Sequence, residues 1–377
     1  MTDSVIFLER KTSSGKKIGH ASLNRPAALN ALNLDMIQLL MAQLVAWQKD
    51  PDISVVILDG SGEKAFCAGG DVVAMHTAMA ENPGATPVAL QAFFTQEYQL
   101  DHLIHTYSKP IVVWANGLVM GGGLGLLSGA SHRIVTNSSR LAMPEISIGL
   151  YPDVGGSWFL NNMPPGCGLF LGLTGASINA TDALYVNLAD YYVNDGGKEQ
   201  WLNQLENTQW SDNPDTNHAK VSLMCSEHHQ GHLMTLPDGN ISRYQDAITP
   251  LADMNSAAEV ANTIAVFESA DDNWLRRAQQ TLKAGSPITA NLVFAQLQKG
   301  QSLTLVECFQ MELVLSCHCG EFGEFQEGVR ALLVDKDNKP AWRYHSIETV
   351  PEEILVWFFA SPWSESGHPL ANLGNKE

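Results

Sequence analysis

The chain has 377 residues, of which 45% are hydrophobic and 16% are charged, against roughly 25% charged residues in an average globular domain. This composition excludes a disordered chain and a coiled coil, and the length predicts two domains at roughly 150 residues each. The formal net charge of −18 argues against general affinity for nucleic acid, so an anionic ligand needs local hydrogen-bond donors.

The beginning of the chain and its cysteines predict a cytoplasmic protein. The N-terminal segment contains Asp3 and Glu9 and lacks an apolar core, so it resembles neither a signal peptide nor a transit peptide. Six scattered cysteines are typical of a reducing compartment. Residues 110–132 contain no Asp, Glu, Lys or Arg, but their glycines favour a buried strand, turn and helix over a membrane span. We therefore expect no membrane partner.

The first half of the chain predicts short strands that alternate with helices, which is the pattern of an α/β fold. Apolar and β-branched runs predict strands at residues 5–8, 20–23, 55–58, 111–114 and 133–135. Apolar residues at helical spacing predict helices at residues 35–47 and 90–105. We expect an α/β core over residues 1–200.

The second half of the chain predicts mainly helices. A polar stretch rich in Gly, Asn and Asp at residues 194–218 separates the predicted α/β half from the predicted helical half. Ser286 followed by Pro287 predicts the start of a helix that runs to residue 297, and residues 303–315 predict another. We expect residues 201–377 to form a mainly helical C-terminal region.

Two glycine-rich segments precede predicted helices, one around Gly69 and Gly70 and the other at residues 121–123. Glycine at such a corner leaves a backbone N–H open to a ligand, and two converging corners would form an oxyanion hole for an acyl carbonyl. Glycines that merely permit tight turns or close helix packing are the alternative. The sequence matches neither a dinucleotide-binding fingerprint nor a P-loop, and it lacks the G-x-S-x-G motif of a serine nucleophile.

Three acidic residues occupy apolar surroundings. Glu145 and Asp153 lie eight positions apart in an apolar, Gly- and Pro-rich segment without a neighbouring Lys or Arg. Glu97 falls on the apolar stripe of the helix predicted at residues 90–105. Isolated acids in such places are costly unless they are paired, hydrogen-bonded or used in chemistry. Helix capping by Glu145 and Asp153, and a Glu97 side chain that reaches solvent, are the alternatives.

Two clusters of cysteine and histidine do not match known metal sites. One is Cys317-His318-Cys319, and the other is the histidine-rich stretch at residues 227–232. Neither contains a CxxC pair or an HExxH motif, and nothing supplies further ligands at a usual spacing. We expect no bound metal.

Three motifs resemble the crotonase, or enoyl-CoA hydratase/isomerase, superfamily. They are FCAGGDV at residues 66–72, NGLVMGGGLGL at 116–126 and AMPEISIGLYPDVGGSWFL at 142–160. Within that superfamily, the PDVGG segment, FFTQEY at residues 93–98 and EGVRALLVDKD at 327–337 resemble the branch of 3-hydroxyisobutyryl-CoA hydrolases. The resemblance implies a spiral of ββα units with a helical C-terminal region that closes the active site.

The resemblance also implies roles for the reacting groups. Gly70 and Gly122 match the residues whose backbone N–H groups bind the thioester oxygen. Glu145 matches the catalytic glutamate, and Asp153 matches the aspartate of the hydrolase branch. Glu97 matches a glutamate that contacts the substrate.

Further positions are implied to bind the substrate. Asn30 and Ala31 match the segment near the CoA nucleotide, and Ala68 precedes the glycines of the first corner. CoA is part of the substrate in this family, so we expect no separate cofactor. A homo-oligomer is a further expectation, because members of the superfamily often form trimers or hexamers.

One position departs from the hydratases of the superfamily. They carry a glutamate three residues beyond the oxyanion glycine of the GGG turn, where this chain has Gly125. Adding water across a double bond normally uses two carboxylates, one as base and one as acid. The sequence therefore favours hydrolysis of a short 3-hydroxyacyl-CoA, most specifically 3-hydroxyisobutyryl-CoA in valine degradation. An enoyl-CoA hydratase/isomerase and a noncatalytic acyl-CoA-binding protein are the alternatives.

Overall fold

The computed structural model describes residues 3–375. Its strands are β1 Val5–Lys11, β2 Lys17–Leu23, β3 Ile53–Gly60, β4 Ala65–Cys67, β5 Ile111–Ala115, β6 Leu118–Met120, β7 His132–Val135, β8 Arg140–Ala142 and β9 Tyr191–Tyr192. Its α-helices are α1 Leu34–Lys49, α2 Val72–Glu81, α3 Val88–His105, α4 Gly122–Ser128, α5 Gly156–Phe159, α6 Cys167–Thr174, α7 Ala180–Tyr185, α8 Lys198–Asn207, α9 Pro214–His232, α10 Gln245–Ile248, α11 Ala257–Ala265, α12 Asn273–Ala284, α13 Pro287–Gly300, α14 Leu305–Phe322, α15 Glu324–Val329 and α16 Glu352–Phe359.

Short 3₁₀-helices connect many of these elements. They are Pro26–Ala28, Glu145–Ile148, Asp195–Gly197, Leu233–Thr235, Ile241–Tyr244, Thr249–Asp253, Ile347–Thr349 and Glu365–Gly367. A single π-helical segment within the described residues, Arg330–Val334, follows α15. Every strand and helix predicted from the sequence is present, and no described helix is long and apolar enough to cross a membrane.

A six-stranded sheet has the order β1-β2-β3-β5-β7-β9. β1 pairs with β2 in antiparallel fashion, and the remaining neighbours are parallel. Every residue of β3 and of β5 is buried, as expected for central strands of a parallel sheet that is covered on both faces. Their continuous apolar runs explain why the sequence predicted them.

Helices cover both faces of this sheet. On one face α1 buries Leu40, Leu44 and Trp47, and the Trp47 ring leaves no room for a side chain at Gly19 of β2, where a Cβ atom would lie 2.7 Å from the ring. On the other face, Trp201 and Leu205 of α8 join buried residues of α9 and of the strands in one apolar cluster. Burial of large apolar side chains on both faces stabilises the sheet.

A smaller sheet has the order β4-β6-β8, with three residues in each strand. β4 and β6 are parallel, and Ala65 lies opposite Leu118. Because the glycine-rich corners follow β4 and β6 directly, this sheet sets the position of both corners.

The chain folds into two compact units. The first unit contains the residues up to 70 together with 100–141 and 178–242, and the second contains 71–99, 142–177 and 243 onward. Each unit combines segments from both sides of residue 200, so this division differs from the one predicted from the sequence.

The second unit is built mainly from helices. α13 begins as predicted, because the Ser286 hydroxyl accepts a hydrogen bond from the Thr289 N–H and Pro287 occupies the first helical position. α14 begins with a capping box formed by Thr304 and Glu307. These signals explain why both helices were predicted from the sequence.

Candidate active site

The first unit brings the two glycine-rich corners together. Gly69 has φ +97° and Gly121 has φ +46°, which are backbone conformations that residues other than glycine rarely adopt. A Cβ atom placed on Gly69 would lie 3.4 Å from the Met120 carbonyl oxygen and 3.9 Å from the Gly122 nitrogen. The corner after β4 and the corner after β6 are therefore direct neighbours.

Close approach of α4 to β4 requires glycine at position 123. A Cβ atom there would lie 2.3 Å from the carbonyl oxygen of Cys67, far inside van der Waals contact. Close packing therefore accounts for the glycine at position 123. Neither the Gly70 nor the Gly122 N–H donates a hydrogen bond to another residue within the described range 3–375. Both N–H groups are therefore without a partner among the described residues.

The second unit buries Glu145 and Asp153. Their exposed fractions are 5% and 4%, so both side chains lie away from bulk water. Glu145 begins the 3₁₀-helix Glu145–Ile148, and its Oε2 atom has no hydrogen-bond partner among residues 3–375. Burial and the negative charge of Asp153 raise the pKa of Glu145 well above its usual range. A carboxylate with so few partners is typical of a functional group.

Asp153 is held by a hydrogen bond from a buried tyrosine. The Tyr98 hydroxyl donates to Asp153 Oδ2 at 2.8 Å, and it also lies 2.7 Å from the Ser316 hydroxyl. Ser316 lies 2.8 Å from the Tyr151 hydroxyl, which donates to the carbonyl oxygen of Glu312. Burial raises the pKa of Asp153, and the hydrogen bond from Tyr98 opposes that rise.

Glu312 of α14 fixes the loop that follows Asp153. It is fully buried, and its two carboxylate oxygens accept hydrogen bonds from the N–H groups of Gly155 and Ser157, each at 2.8 Å. The loop turns sharply, since Val154 and Gly155 have φ +53° and +87°. Glu312 thus satisfies the N-terminal N–H groups of α5, and neither Asp153 nor Glu145 caps a helix through its side chain. The capping alternative is wrong.

The sequence reasoning missed Tyr98, Ser316 and Glu312. Glu312 could have been found, because it falls on the apolar face of α14 as Glu97 falls on that of α3. Tyr98 and Ser316 are 218 positions apart, and nothing in the sequence pairs them. Glu97 is 2% exposed, which confirms its predicted place on a buried face.

The remaining predicted substrate-binding residues lie in the first unit, near the first corner. Asn30 is 1% exposed, and its side chain accepts from the Arg25 N–H and donates to the carbonyl oxygens of Ser61 and Ala65. Its amide group is thus used within the protein. Ala31 and Ala68 are partly exposed, and contact of this segment with CoA stays a prediction.

Known proteins are similar to this chain over nearly its whole length. The family described as enoyl-CoA hydratase/isomerase matches residues 18–359. A curated relative, the mitochondrial 3-hydroxyisobutyryl-CoA hydrolase of Danio rerio, is 38% identical over 349 residues, which are 92% of this chain and 87% of the relative.

Two solved structures share the fold. An enoyl-CoA hydratase from Rhodobacter sphaeroides 2.4.1 is 32% identical with a TM-score of 0.79, over 94% of this chain and 97% of that one. A carnitinyl-CoA dehydratase from Mycobacterium thermoresistibile is 27% identical with a TM-score of 0.85, over the full length of both chains. The names of these proteins span hydrolysis, hydration and dehydration, so the reaction has to be argued from the residues.

Proposed function

The chain belongs to the enoyl-CoA hydratase/isomerase family and has the crotonase fold, and from this premise we propose that it hydrolyses 3-hydroxyisobutyryl-CoA to 3-hydroxyisobutyrate and coenzyme A. The observation that carries the proposal is the buried pair Glu145 and Asp153 in a chain that has Gly125 where hydratases carry their second glutamate. The similarity to relatives named 3-hydroxyisobutyryl-CoA hydrolase supports the same substrate.

In the proposed reaction the backbone stabilises negative charge on the thioester oxygen. The N–H groups of Gly70 and Gly122 donate to that oxygen while the carbonyl carbon becomes tetrahedral. Losing one such donor typically lowers the rate by about 10²–10³-fold. The donors come from the backbone, so side-chain substitutions test them only through a change in backbone position.

Glu145 drives the cleavage by one of two routes. As a nucleophile, its carboxylate forms an anhydride with the acyl group and expels CoA as the thiolate, and water then hydrolyses the anhydride. As a general base, it removes a proton from the water molecule that attacks the thioester. The raised pKa of Glu145 makes its ionised form both a stronger base and a better nucleophile. Turnover in ¹⁸O-water labels Glu145 only by way of the anhydride.

Asp153 and Glu97 are proposed to bind the 3-hydroxyl group and to orient the attacking group. Both are buried acids of the second unit, so each can accept a hydrogen bond from the substrate hydroxyl. This assignment predicts that acyl-CoA substrates without a 3-hydroxyl group are hydrolysed more slowly.

A free-thiol assay over a panel of short acyl-CoAs tests the function. We expect thiol release from 3-hydroxyisobutyryl-CoA, less from 3-hydroxypropionyl-CoA, and still less from isobutyryl-CoA. Crotonyl-CoA that loses its enoyl absorbance without releasing thiol would indicate a hydratase instead. Binding of acyl-CoA without either reaction would indicate a noncatalytic binding protein.

Glu145→Gln tests the assignment of the catalytic group. We expect it to abolish thiol release while acyl-CoA still binds. The matched control is Glu324→Gln, because Glu324 is a buried acid of the same unit whose partners are the Ser286 hydroxyl and the Arg343 N–H. Near-normal turnover of Glu145→Gln contradicts the assignment.

Three finer statements are part of the proposal. We place the reaction in valine degradation, because its product is the free hydroxy acid of that route. Cytoplasmic localisation rests on the sequence, whereas relatives carry the word mitochondrial in their names, and cell fractionation tests it. A homo-oligomer is tested by light scattering.

A further inference from the structure

Asp153 lies among groups that do not compensate its charge. The titratable groups that interact with it are Tyr98 from α3, Tyr151 from its own segment, and Glu312 and Cys319 from α14. Glu145 from the 3₁₀-helix Glu145–Ile148 completes the set. None of these groups carries a positive charge, so an ionised Asp153 depends on hydrogen bonds.

Tyr98 supplies such a hydrogen bond from a side chain. Its hydroxyl donates to Asp153 Oδ2 at 2.8 Å, and the side chain is fully buried in α3. Burial and the charge of Asp153 raise the pKa of Tyr98 well above its usual value, so the hydroxyl keeps its proton and remains a donor. The Ser316 hydroxyl, 2.7 Å away, fixes the orientation of the phenol.

Among residues 3–375, Glu145 has no side-chain donor comparable to Tyr98, and only a backbone hydrogen bond lowers its pKa. Its Oε2 atom has no hydrogen-bond partner in the described part of the chain, whereas Asp153 accepts from Tyr98. When two neighbouring carboxyl groups share one negative charge, the charge settles on the group with the better donors. The unequal donors therefore distinguish the two acids.

We propose that Tyr98 is a positioning residue for the hydrolysis, whose hydroxyl holds Asp153 in place and assigns the negative charge of the Glu145–Asp153 pair to Asp153. The inference rests on the proposed function, in which both acids take part. While the pair carries a single negative charge the proton is then on Glu145, which must lose it before it acts as nucleophile or base. The charge on Asp153 also adds to the energy needed to ionise Glu145, which agrees with the raised pKa of Glu145.

The variant Tyr98→Phe removes the donor and keeps the ring. A hydrogen bond to a charged group contributes about 1.5–3 kcal/mol, and 1.36 kcal/mol corresponds to one pKa unit, so the lost donor is worth about one to two pKa units to Asp153. With the charge held less firmly on Asp153, Glu145 ionises more easily, and we expect the acidic limb of the kcat profile, which reports ionised Glu145, to move to lower pH by no more than that amount. Because Tyr98 acts through Asp153, which is proposed to bind the 3-hydroxyl group, the pH limb of kcat rather than KM is the readout.

Tyr151→Phe is the matched control. Tyr151 is also fully buried and also bonds Ser316, but its hydroxyl donates to the Glu312 carbonyl oxygen rather than to Asp153. Both variants lose one buried hydroxyl group, so a general loss of stability affects them alike. We expect the pH limb to move in Tyr98→Phe and to stay in place in Tyr151→Phe. A limb that stays in place in both, or moves equally in both, overturns the inference.

A spectroscopic titration tests the charge assignment without turnover and without Tyr98 variants. The carboxyl infrared band that Asp153→Asn removes should titrate at lower pH than the band that Glu145→Gln removes. The reverse order overturns the inference even if the enzyme is a hydrolase. Absence of thiol release by the wild-type enzyme instead contradicts the proposed function, and the two failures are therefore distinct.

Discussion

The variant Gly123→Ala tests whether the position of α4 sets the corner proposed to bind the thioester oxygen. The added Cβ atom would lie 2.3 Å from the Cys67 carbonyl oxygen, whereas ordinary contacts begin near 3.4 Å. The N-terminus of α4 must therefore move away from β4 by about 1 Å. Gly122 is the neighbouring residue of α4 and moves with it, whereas Gly70 lies on the β4 side of the contact.

The expected loss follows from that displacement. A misplacement of about 1 Å at a reacting group lowers the rate by about 10²-fold, which approaches the effect of losing one oxyanion donor. Crowding a packed site also costs about 1–3 kcal/mol of stability. We expect kcat for thiol release to fall by about 10²-fold in a protein that still folds.

Gly231→Ala is the matched control for this prediction. Gly231 also lies in a helix of the first unit, but a Cβ atom there has nothing within 4 Å. Alanine is the better helix former, so the control should keep its activity and its stability should stay equal or rise by up to about 1 kcal/mol. Thiol-release kinetics and urea unfolding of both variants make the comparison. A folded Gly123→Ala enzyme with wild-type kcat refutes the reasoning.

Three further predictions concern buried polar groups. The fold raises the pKa of Glu145 above 4.5, so the free energy of unfolding of the wild type should fall relative to that of Glu145→Gln as pH rises above 4.5. Urea unfolding of both proteins over a pH series measures this difference, and a difference that does not change with pH contradicts the pKa shift. Asn30→Ala should lower the free energy of unfolding by about 2–4 kcal/mol, since three hydrogen bonds are lost at φ +56°, and thermal unfolding checks this against Asn30→Asp, which keeps the acceptor. Glu312→Gln leaves one acceptor for two N–H groups, so we expect a loss of about 1–3 kcal/mol in stability and a fall in kcat with little change in KM. An unchanged kcat would mean that catalysis does not need these two hydrogen bonds.

The sequence predicted the large sheet well because its strands carry their own signal. Residues 55–58 and 111–114 are β-branched, apolar runs, and the structure extends them to Ile53–Gly60 and Ile111–Ala115. The three-residue strands β4, β6 and β8 were not predicted, because so few residues show no alternation. Their existence depends on pairing between distant segments, such as Ala65 with Leu118.

The same distinction applies to the candidate site. Glu145 and Asp153 were predicted as site residues because their sequence neighbours are apolar, which indicates burial, and the structure confirms that both are buried. Their supports could not be predicted, because the partners of the loop at residues 153–157 come from α3 and α14. Local sequence shows that an acid is isolated, but only tertiary contacts show what holds it.

The hydrogen bonds from the loop at residues 153–157 to Glu312 can form only after the ribosome has made α14. Gly155 and Glu312 are 157 positions apart, so at 5–20 residues per second the ribosome makes the loop roughly 8–30 s before Glu312. During that interval the nascent chain already contains Tyr98, but it lacks the Glu312 carboxylate that accepts from the loop and the Ser316 hydroxyl that orients Tyr98. A chain released before α14 is complete therefore contains both acids but lacks the carboxylate that fixes the loop after Asp153.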